Sequence, residues 1–539
     1  MKPADDAVLM VRGRIAAAAA FCAATFSIVV ARLFEVMVFG AGLSTADLAP
    51  SARPVRADIV DRNGTLIARD LPVSDLYASP AAFWDTAEAA RELASTTGAD
   101  EKRLKETFAA KRGYVLVARG LTPDLRDSVM SLGIPGLTFE NGYKRYYPSG
   151  RIVSHAVGQV DSDDKGISGL ELGLNPELLG KTDGPVQLSL DMRVQYALEH
   201  EITEAAEAFT AKAAGGIVLD VHTGEVLALA SFPNYEPNVR KLSPGDSTRN
   251  RLTQDVYELG SIFKIFAFAE AIEEKTVKLD EYLNVGKPLK FGRFQIHDFE
   301  HLGPYITAST VFADSSNIGT AQIHMRSGPE KQKPFLEHLG LLDAVKTELP
   351  EVASPLYPRN WNQVEGVTIS YGQGISVNPL GFAAAAASIV NGGTKVTPTF
   401  LKRDHVAEGE RVVSESTSAT MRQLMRLVVT NGTGKMANIP GYNVGGKTGT
   451  AEKPYNGSYA RHLLISSFCG VFPIEDPRYL VFIMMDEPHG TKASAGFATG
   501  GWTAAPAVGR VIARIAPLLG VPRNDLDALN GGTIAAANP

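Results

Sequence analysis

Beyond residue 195, strand-like sequence occurs in two places far apart in the chain, and that separation most constrains the fold. The first is "AGGIVLDVHTGEVLALASF", where two β-branched runs flank His222, Thr223 and Gly224 as a hairpin. The second comprises "NVGGKTGTAEK", "LLISSFCGVFP" and "RYLVFIMMDEP", all beyond residue 440. Runs this apolar must bury their faces, so they pair with one another. The mainly helical stretch from about 257 to 430 then becomes an excursion from a single sheet. The last helix, "TAAPAVGRVIARIAPLLG", is apolar on one face and returns to cover that sheet. The order predicts an α+β domain, a central antiparallel sheet flanked by helices with a helical subdomain.

Within the excursion, "YELGSIFKIFAFAEAI" (Tyr257–Ile272) carries a lysine among phenylalanines. Burying an ammonium without a partner is costly. Lys264 therefore either reaches the surface or sits beside Ser261 for a chemical reason. A serine hydroxyl is a weak nucleophile until a base takes its proton. A helix places a lysine three residues on along the same face. Desolvation by Phe263, Phe266 and Phe268 would lower its pKa and let it act as that base. Gly260 suits a tight turn into the helix, and the Ser261 N–H falls among the unpaired donors of a first turn, ready for an oxyanion.

Ser-x-x-Lys is a weak signal alone. Ser162 to Lys165 matches it too, among aspartates in a turn that keeps a lysine solvated. Ser315 and Asn317 in "VFADSSNIGTAQ" form Ser-x-Asn, which either serves as a proton relay or caps a helix beginning near Ile318. Ser376 and Asn378 repeat that triplet. Lys447 and Thr448 fall on a strand whose Gly445, Gly446 and Gly449 leave the backbone uncovered. Such a strand is either a loop-prone edge or a place where a cation and hydroxyls meet a substrate carboxylate.

The N-terminal part divides by composition. Ile15 to Ala31 holds no charge and follows Arg12 and Arg14. As a helix it would be roughly 26 Å long, and the apolar character runs on past Arg32 and Glu35, which are spaced to pair. The expectation is a short cytoplasmic tail (1–14), a single transmembrane anchor helix (15–42) and an extracytoplasmic body. "VRADIVDRNGTLIARD" reads as a hairpin about Asn63-Gly64, and residues 80–130 read as helical. A mixed domain of strands and helices over 43–195 follows from these. "HGTKASAGFATGGW" reads as a mobile loop and 521–539 as a disordered tail. With a net charge of −6 and a pI of about 6.0, nothing suggests a nucleic-acid binder. Cys22 and Cys469 are not expected to meet, and C-x-x-C metal spacing is absent. His155 and Glu171 read as structural.

In chain order, Ser-x-x-Lys, Ser-x-Asn and Lys-Thr-Gly form the set shared by penicillin-binding proteins and serine β-lactamases. The surrounding segments extend the likeness. "VRADIVDRNGTLIA", "KRYYPSGRIVSHAVGQV" and "GISGLELGLNPELLG" resemble the N-terminal pedestal of class B penicillin-binding proteins, the monofunctional peptidoglycan D,D-transpeptidases. "RNRLTQDVYELGSIFK", "ISYGQGISVNPL" and "GYNVGGKTGTAEK" resemble their transpeptidase blocks. The resemblance covers roughly residues 15–520 and is greatest to the cell-division branch. Leu259, where the family usually has proline, and Ala57, where it has glycine, depart from the pattern.

The resemblance implies a pedestal (dimerisation-like) domain over 43–195 and a serine β-lactamase-like transpeptidase domain over 196–520. It implies that Ser261 attacks a stem peptide ending in D-Ala-D-Ala, with Lys264 as base. Ser315 and Asn317 would relay protons and hold the peptide amide. Lys447, Thr448 and Thr450 would recognise the terminal carboxylate, with Gly449 among the substrate-binding positions. The backbone N–H groups of Ser261 and Thr450 would form an oxyanion hole. No metal or organic cofactor is implied. β-Lactams would acylate Ser261. A polytopic septal glycosyltransferase and other division proteins would be membrane partners, and the inner membrane and periplasm the location. The same residues would also suit an elongation-type transpeptidase, a membrane-anchored D,D-carboxypeptidase or β-lactamase, or a silent wall-synthesis scaffold.

Overall fold

The computed structural model describes residues 20–31, 55–109, 113–180, 184–239, 245–291, 294–403, 405–406, 409–455 and 458–524. Of the expected anchor it describes only helix α1, residues 20–31. No helix among the described residues is long and apolar enough to cross a membrane. The rest of 15–42, with Arg32 and Glu35, lies outside the described residues, as do 1–14 and the tail from 525.

The chain forms two compact units, Met1–Val55 with Pro72–Tyr143, and Arg56–Leu71 with Lys144–Pro539. β1 (Ile59–Val60) and the start of β2 (Leu66–Ala78) make the hairpin expected at Asn63-Gly64. Asp61 closes it, accepting hydrogen bonds from the N–H groups of Asn63 (2.8 Å) and Thr65 (2.7 Å), and Gly64 takes the positive φ of +87° that this turn needs.

In the smaller unit the end of β2 pairs antiparallel with β3 (Val115–Leu121), and β4 (Leu137–Tyr146) also pairs with β2. Helices α2 (Thr86–Thr97), α3 (Glu101–Ala109) and α4 (Pro123–Ser131) belong to the same unit, and Leu76, Leu93, Leu104, Phe108, Val117 and Val129 form its core. The stretch 80–130 is therefore not helical throughout. "VLVARGL" is a strand, because its valines and leucines complete a ladder with β2, a long-range partner that local propensity does not reveal.

In the larger unit β5 (Val186–Gln187) pairs in parallel with β1. The main sheet joins β6 (Ala213–Asp220), β7 (Val226–Phe232), β12 (Gly445–Tyr455), β13 (Ser458–Phe472) and β14 (Tyr479–Asp486) in the order β12-β13-β14-β6-β7, antiparallel throughout. The four strands β8 (Tyr282–Asn284), β9 (Leu289–Phe291), β10 (Phe294–Ile296) and β11 (Tyr305–Thr307) form two small ribbons inside the excursion.

Alternation along β14 shows how both faces are buried. Tyr479, Val481, Ile483 and Met485 point into a core with α5 (Met192–Ala208) and the terminal helix α10 (Ala504–Leu518). Leu480, Phe482 and Met484 point into the other core, shared with α6 (Lys264–Glu273), α7 (Asn317–Ser327), α8 (Pro379–Val390) and α9 (Glu415–Thr430). A period of two thus divides one strand between two helical layers. The second layer carries the serine and the first lysine.

Candidate active site

The turn before α6 is set by backbone contacts. Tyr257 and Val377 exchange two hydrogen bonds of 3.0 Å, and the Gly260 N–H donates to the Gly372 carbonyl at 3.2 Å. Gly260 has φ +60°, and a Cβ on it would stand 2.7 Å from the Thr450 carbonyl, so only glycine fits without strain. Gly260–Phe263 then forms a 3-10 turn, and Lys264 begins the α-helix. In a 3-10 turn residues i and i+3 eclipse. That aligns Lys264 with the half-buried Ser261 along the helix axis, about 6 Å on, where the α-helical spacing expected from sequence would set it closer along the axis but turned aside. Phe263, Phe266 and Phe382 pack on one another around this start, with centroids 5.3–6.0 Å apart.

Lys264 is fully buried. Its Nζ lies 2.5 Å from the Ser315 carbonyl, 3.1 Å from Ser315 Oγ and 2.8 Å from Asn317 Oδ1. Lys447, also fully buried, donates to the same Ser315 Oγ at 2.8 Å. Two lysines from different elements thus converge on one hydroxyl. Ser315 has φ +64°, a left-handed conformation that is uncommon for serine and turns its carbonyl and hydroxyl toward Lys264 together. Burial, reinforced by Lys447 and opposed by Asp298, pushes Lys264 well below its ordinary value. Burial lowers Lys447 to about 7, opposed by Asp314. Two ammonium groups in so small a dry volume repel, and the neutral amine is the relieved state.

β12 is an edge strand of the main sheet. Thr448 Oγ1 lies 2.6 Å from Thr433 Oγ1, and Thr450 Oγ1 accepts from the Gly500 N–H at 3.1 Å. A Cβ on Gly449 would stand 2.6 Å from the Leu259 carbonyl, so β12 and the nucleophile turn touch backbone to backbone. Leu259 itself is buried in the core. In the stretch read as a mobile loop, exposed Phe497 stacks on Trp502 with centroids 5.7 Å apart.

Lys264, Ser315, Asn317 and Lys447 therefore meet in one hydrogen-bonded group, with Ser261 one turn away and Thr448, Gly449 and Thr450 along the adjoining strand. Lys264 is not bonded to Ser261; its bonds go to Ser315 and Asn317. The decoys lie elsewhere: Lys165 is exposed in a turn closed by Asp161, and Asn378 caps α8 through the Leu380 and Gly381 N–H groups. His155 bonds the Ser247 carbonyl at 2.9 Å and is driven down to about 4 by burial. Glu171 pairs with Arg56 and Arg145, partners that sequence reasoning did not identify. Cys22 and Cys469 are free thiols.

Three contributors were missed. Asp298 holds the Ser-x-Asn loop and Thr433 backs Thr448. Glu258, just ahead of the nucleophile, accepts from Tyr459 Oη (3.1 Å) and the Gly374 N–H (3.2 Å), and burial raises its carboxyl. The glutamate was visible in "YELGS", but only the fold supplies its partners.

A serine, two buried lysines and an edge strand on an α+β sheet define a serine acyl-transfer site. Residues 214–508 match the penicillin-binding protein transpeptidase domain, and residues 51–193 the penicillin-binding protein dimerisation domain. The chain is 43% identical to the "Probable peptidoglycan D,D-transpeptidase FtsI" of Caulobacter vibrioides, over 88% of this chain and 83% of that one. It is 29% identical to "Peptidoglycan D,D-transpeptidase FtsI" of Escherichia coli K12, over 88% and 85%. A crystal structure of penicillin-binding protein 3 from Mycobacterium tuberculosis complexed with aztreonam superposes with a TM-score of 0.70 at 26% identity, covering 88% of this chain and 98% of that one. The chain belongs to the class B penicillin-binding proteins and is like the division branch within it.

Proposed function

We propose that the protein cross-links peptidoglycan stem peptides by D,D-transpeptidation through an acyl-enzyme on Ser261. The observation that carries the mechanism is the Ser315 hydroxyl shared by two buried lysines, one of them a single turn from the serine. One assignment satisfies every group. Neutral Lys264 donates to the Ser315 carbonyl and Asn317 Oδ1 and accepts from Ser315 Oγ–H, while Lys447 donates to Ser315 Oγ.

Ser261 then adds to the penultimate D-alanine carbonyl as Lys264 takes its proton. The contact between these two tightens when substrate is bound. The Ser261 and Thr450 N–H groups hold the oxyanion. Collapse breaks the peptide bond, the proton passes through Ser315 to the leaving nitrogen, and D-alanine departs. Lys447, Thr448 and Thr450 hold the terminal carboxylate of the donor, with Gly449 admitting its backbone. The amine of a second stem peptide then attacks the ester, forming the cross-link and freeing Ser261. A β-lactam enters the first step, but its leaving group stays tethered.

The finer assignments rest on the relatives and the sequence. Residues 15–42 form a single-pass anchor in the inner membrane, with the body in the periplasm. Residues 43–195 form the pedestal and 196–520 the transpeptidase domain. The partners are a polytopic septal glycosyltransferase and other division proteins.

Intact mass of the full chain in detergent with a penicillin tests the reading. We expect one long-lived adduct that maps to Ser261 and disappears in Ser261→Ala. Rapid clearance with release of hydrolysed drug would point instead to a β-lactamase, and a folded chain with no adduct would refute acyl transfer.

A further inference from the structure

We propose that Asp298, a residue outside all three motifs, is the positioning residue of the Ser-x-Asn loop, clasping the start of α7 so that Asn317 presents its oxygen to Lys264, and that its carboxylate, held one residue behind that contact, serves as the lysine's counter-ion. The proposal rests on the acyl-transfer reading above.

Asp298 follows β10 and reaches the loop with both carboxylate oxygens. Oδ1 accepts from the N–H groups of Asn317 (2.6 Å) and Ile318 (3.0 Å), and Oδ2 from the Ser316 hydroxyl (2.7 Å). These are among the first donors of α7, which have no partner within the helix. Ser316 Oγ in turn accepts from the Gly319 N–H at 2.9 Å, so one hydroxyl links carboxylate and helix. The neighbouring His297 carbonyl accepts from Asn317 Nδ2 at 3.2 Å. An amide with its nitrogen committed there must turn its oxygen the other way, and Oδ1 meets Lys264 Nζ at 2.8 Å. The two-residue segment His297-Asp298 thus fixes the position of Ser315 through the loop and the orientation of Asn317 through its amide. A helix start carrying an acyl-transfer side chain would otherwise fray.

The charge has a second effect. Lys264 bonds Ser315 and Asn317 of the loop; Lys447 from β12, across the Ser315 hydroxyl, and Asp298, behind Asn317, act on its charge, and Lys447 is itself opposed by Asp314. Asp298 favours the ammonium form of Lys264, against burial and Lys447. Removing its charge lets Lys264 stay neutral to lower pH. Because the base works as the free amine, the acid limb of acylation should move down.

Two substitutions separate clasp from charge. Asp298→Asn keeps an oxygen for the two backbone bonds but loses the charge. Asp298→Ala loses both. The rate constant for acylation of the full chain by a fluorescent penicillin is measured against pH, with folding checked by circular dichroism. We expect the acid limb of Asp298→Asn to lie about half a pH unit or more below wild type. We expect Asp298→Ala, where folded, to acylate about 10- to 100-fold more slowly. A merely structural aspartate would change the folded fraction and leave the pH profile of the remainder in place. An Asp298→Asn limb superimposed on wild type overturns the proposal, even if Asp298→Ala fails to fold. So does folded Asp298→Ala acylating within about twofold of wild type. A wild-type chain that takes no penicillin would instead overturn the acyl-transfer reading.

Discussion

Among the buried charges of the larger unit, two sets are built on opposite plans. In one, Glu171 takes Arg56 on one oxygen (2.7 Å) and Arg145 on the other (2.7 Å), and Arg145 also meets Asp70 at 3.1 Å. Arg56 Nη1 completes its own set on Asn175 Oδ1 at 2.7 Å. Two cations and two anions cancel in full burial. In the other set Lys264 and Lys447 share one hydroxyl, and the acids near them, Asp298 and Asp314, act from farther back. Balanced burial locks ionisation and spends the charges on shape. Unbalanced burial leaves a proton easily moved, and a movable proton is what acyl transfer requires.

The comparison breaks most visibly at the lysine. Lys264→Met should lower the rate of penicillin acylation by about 10²- to 10⁴-fold. It should lower the melting temperature only slightly, because the loss of the hydrogen bonds to the Ser315 carbonyl and Asn317 Oδ1 is offset by removal of an amine that burial disfavours. A variant that melts well below wild type would place Lys264 on the balanced plan. Glu171→Ala should do the reverse. It leaves the buried Arg56 without an acid and Arg145 with Asp70 alone, and should cost about 3–5 kcal/mol in denaturant unfolding. The fraction that remains folded should acylate within about twofold of wild type, and a slower rate there would mean that the two charge sets are coupled.

A smaller effect sharpens the contrast through pH. Lys447 sits at about 7 in the folded chain and ordinarily at 10.5. Between those values the unfolded chain holds the extra proton, so stability should rise with pH across that window and lose the gain as pH falls toward 7. The slope from this group is at most about 1.4 kcal/mol per pH unit. Glu270, raised by burial to about 7, works in the window below, where its folded-state proton makes stability fall as pH rises. Unfolding midpoints measured from neutral to alkaline pH should therefore climb in wild type and climb less steeply in Lys447→Met, where the depressed Lys264 still contributes. The smallest effect belongs to an exposed pair. Lys105 and Glu101 touch at 2.5 Å with both side chains nearly half exposed, and Glu101→Gln should shift unfolding by less than about 0.5 kcal/mol. A larger shift would show that burial is not what separates the two plans.

These two plans were unequally legible in the sequence. Ser261 and Lys264 stand out because their chemistry is local: a lysine among phenylalanines asks for a reason. Ser315, Asn317 and Lys447 follow once three short patterns occur in order. The main sheet is readable because the alternation in "RYLVFIMMDEP" and the hairpin at His222–Gly224 obey period two. The balanced set was not readable. Glu171 meets an arginine 115 residues away, and nothing near it in sequence announces the pairing. Asp298, 19 residues before Asn317, was hidden for the same reason, since a capping carboxylate from a distant ribbon leaves no local spacing. "VLVARGL" was lost among helices because only its partner strand makes it a strand.

The backbone contact at Gly260 and Gly449 bears on inheritance. At each, a single added methyl would meet a carbonyl already in place, from Thr450 in one case and Leu259 in the other. A lineage under β-lactam pressure cannot keep the drug out by bulk at these two positions, because the same carbon would pry the nucleophile from the strand that presents its substrate. Escape is channelled to positions where an added side chain meets no fixed backbone, and where substitution costs little stability. Two glycines thus mark where this wall-building catalyst has no alternative spelling.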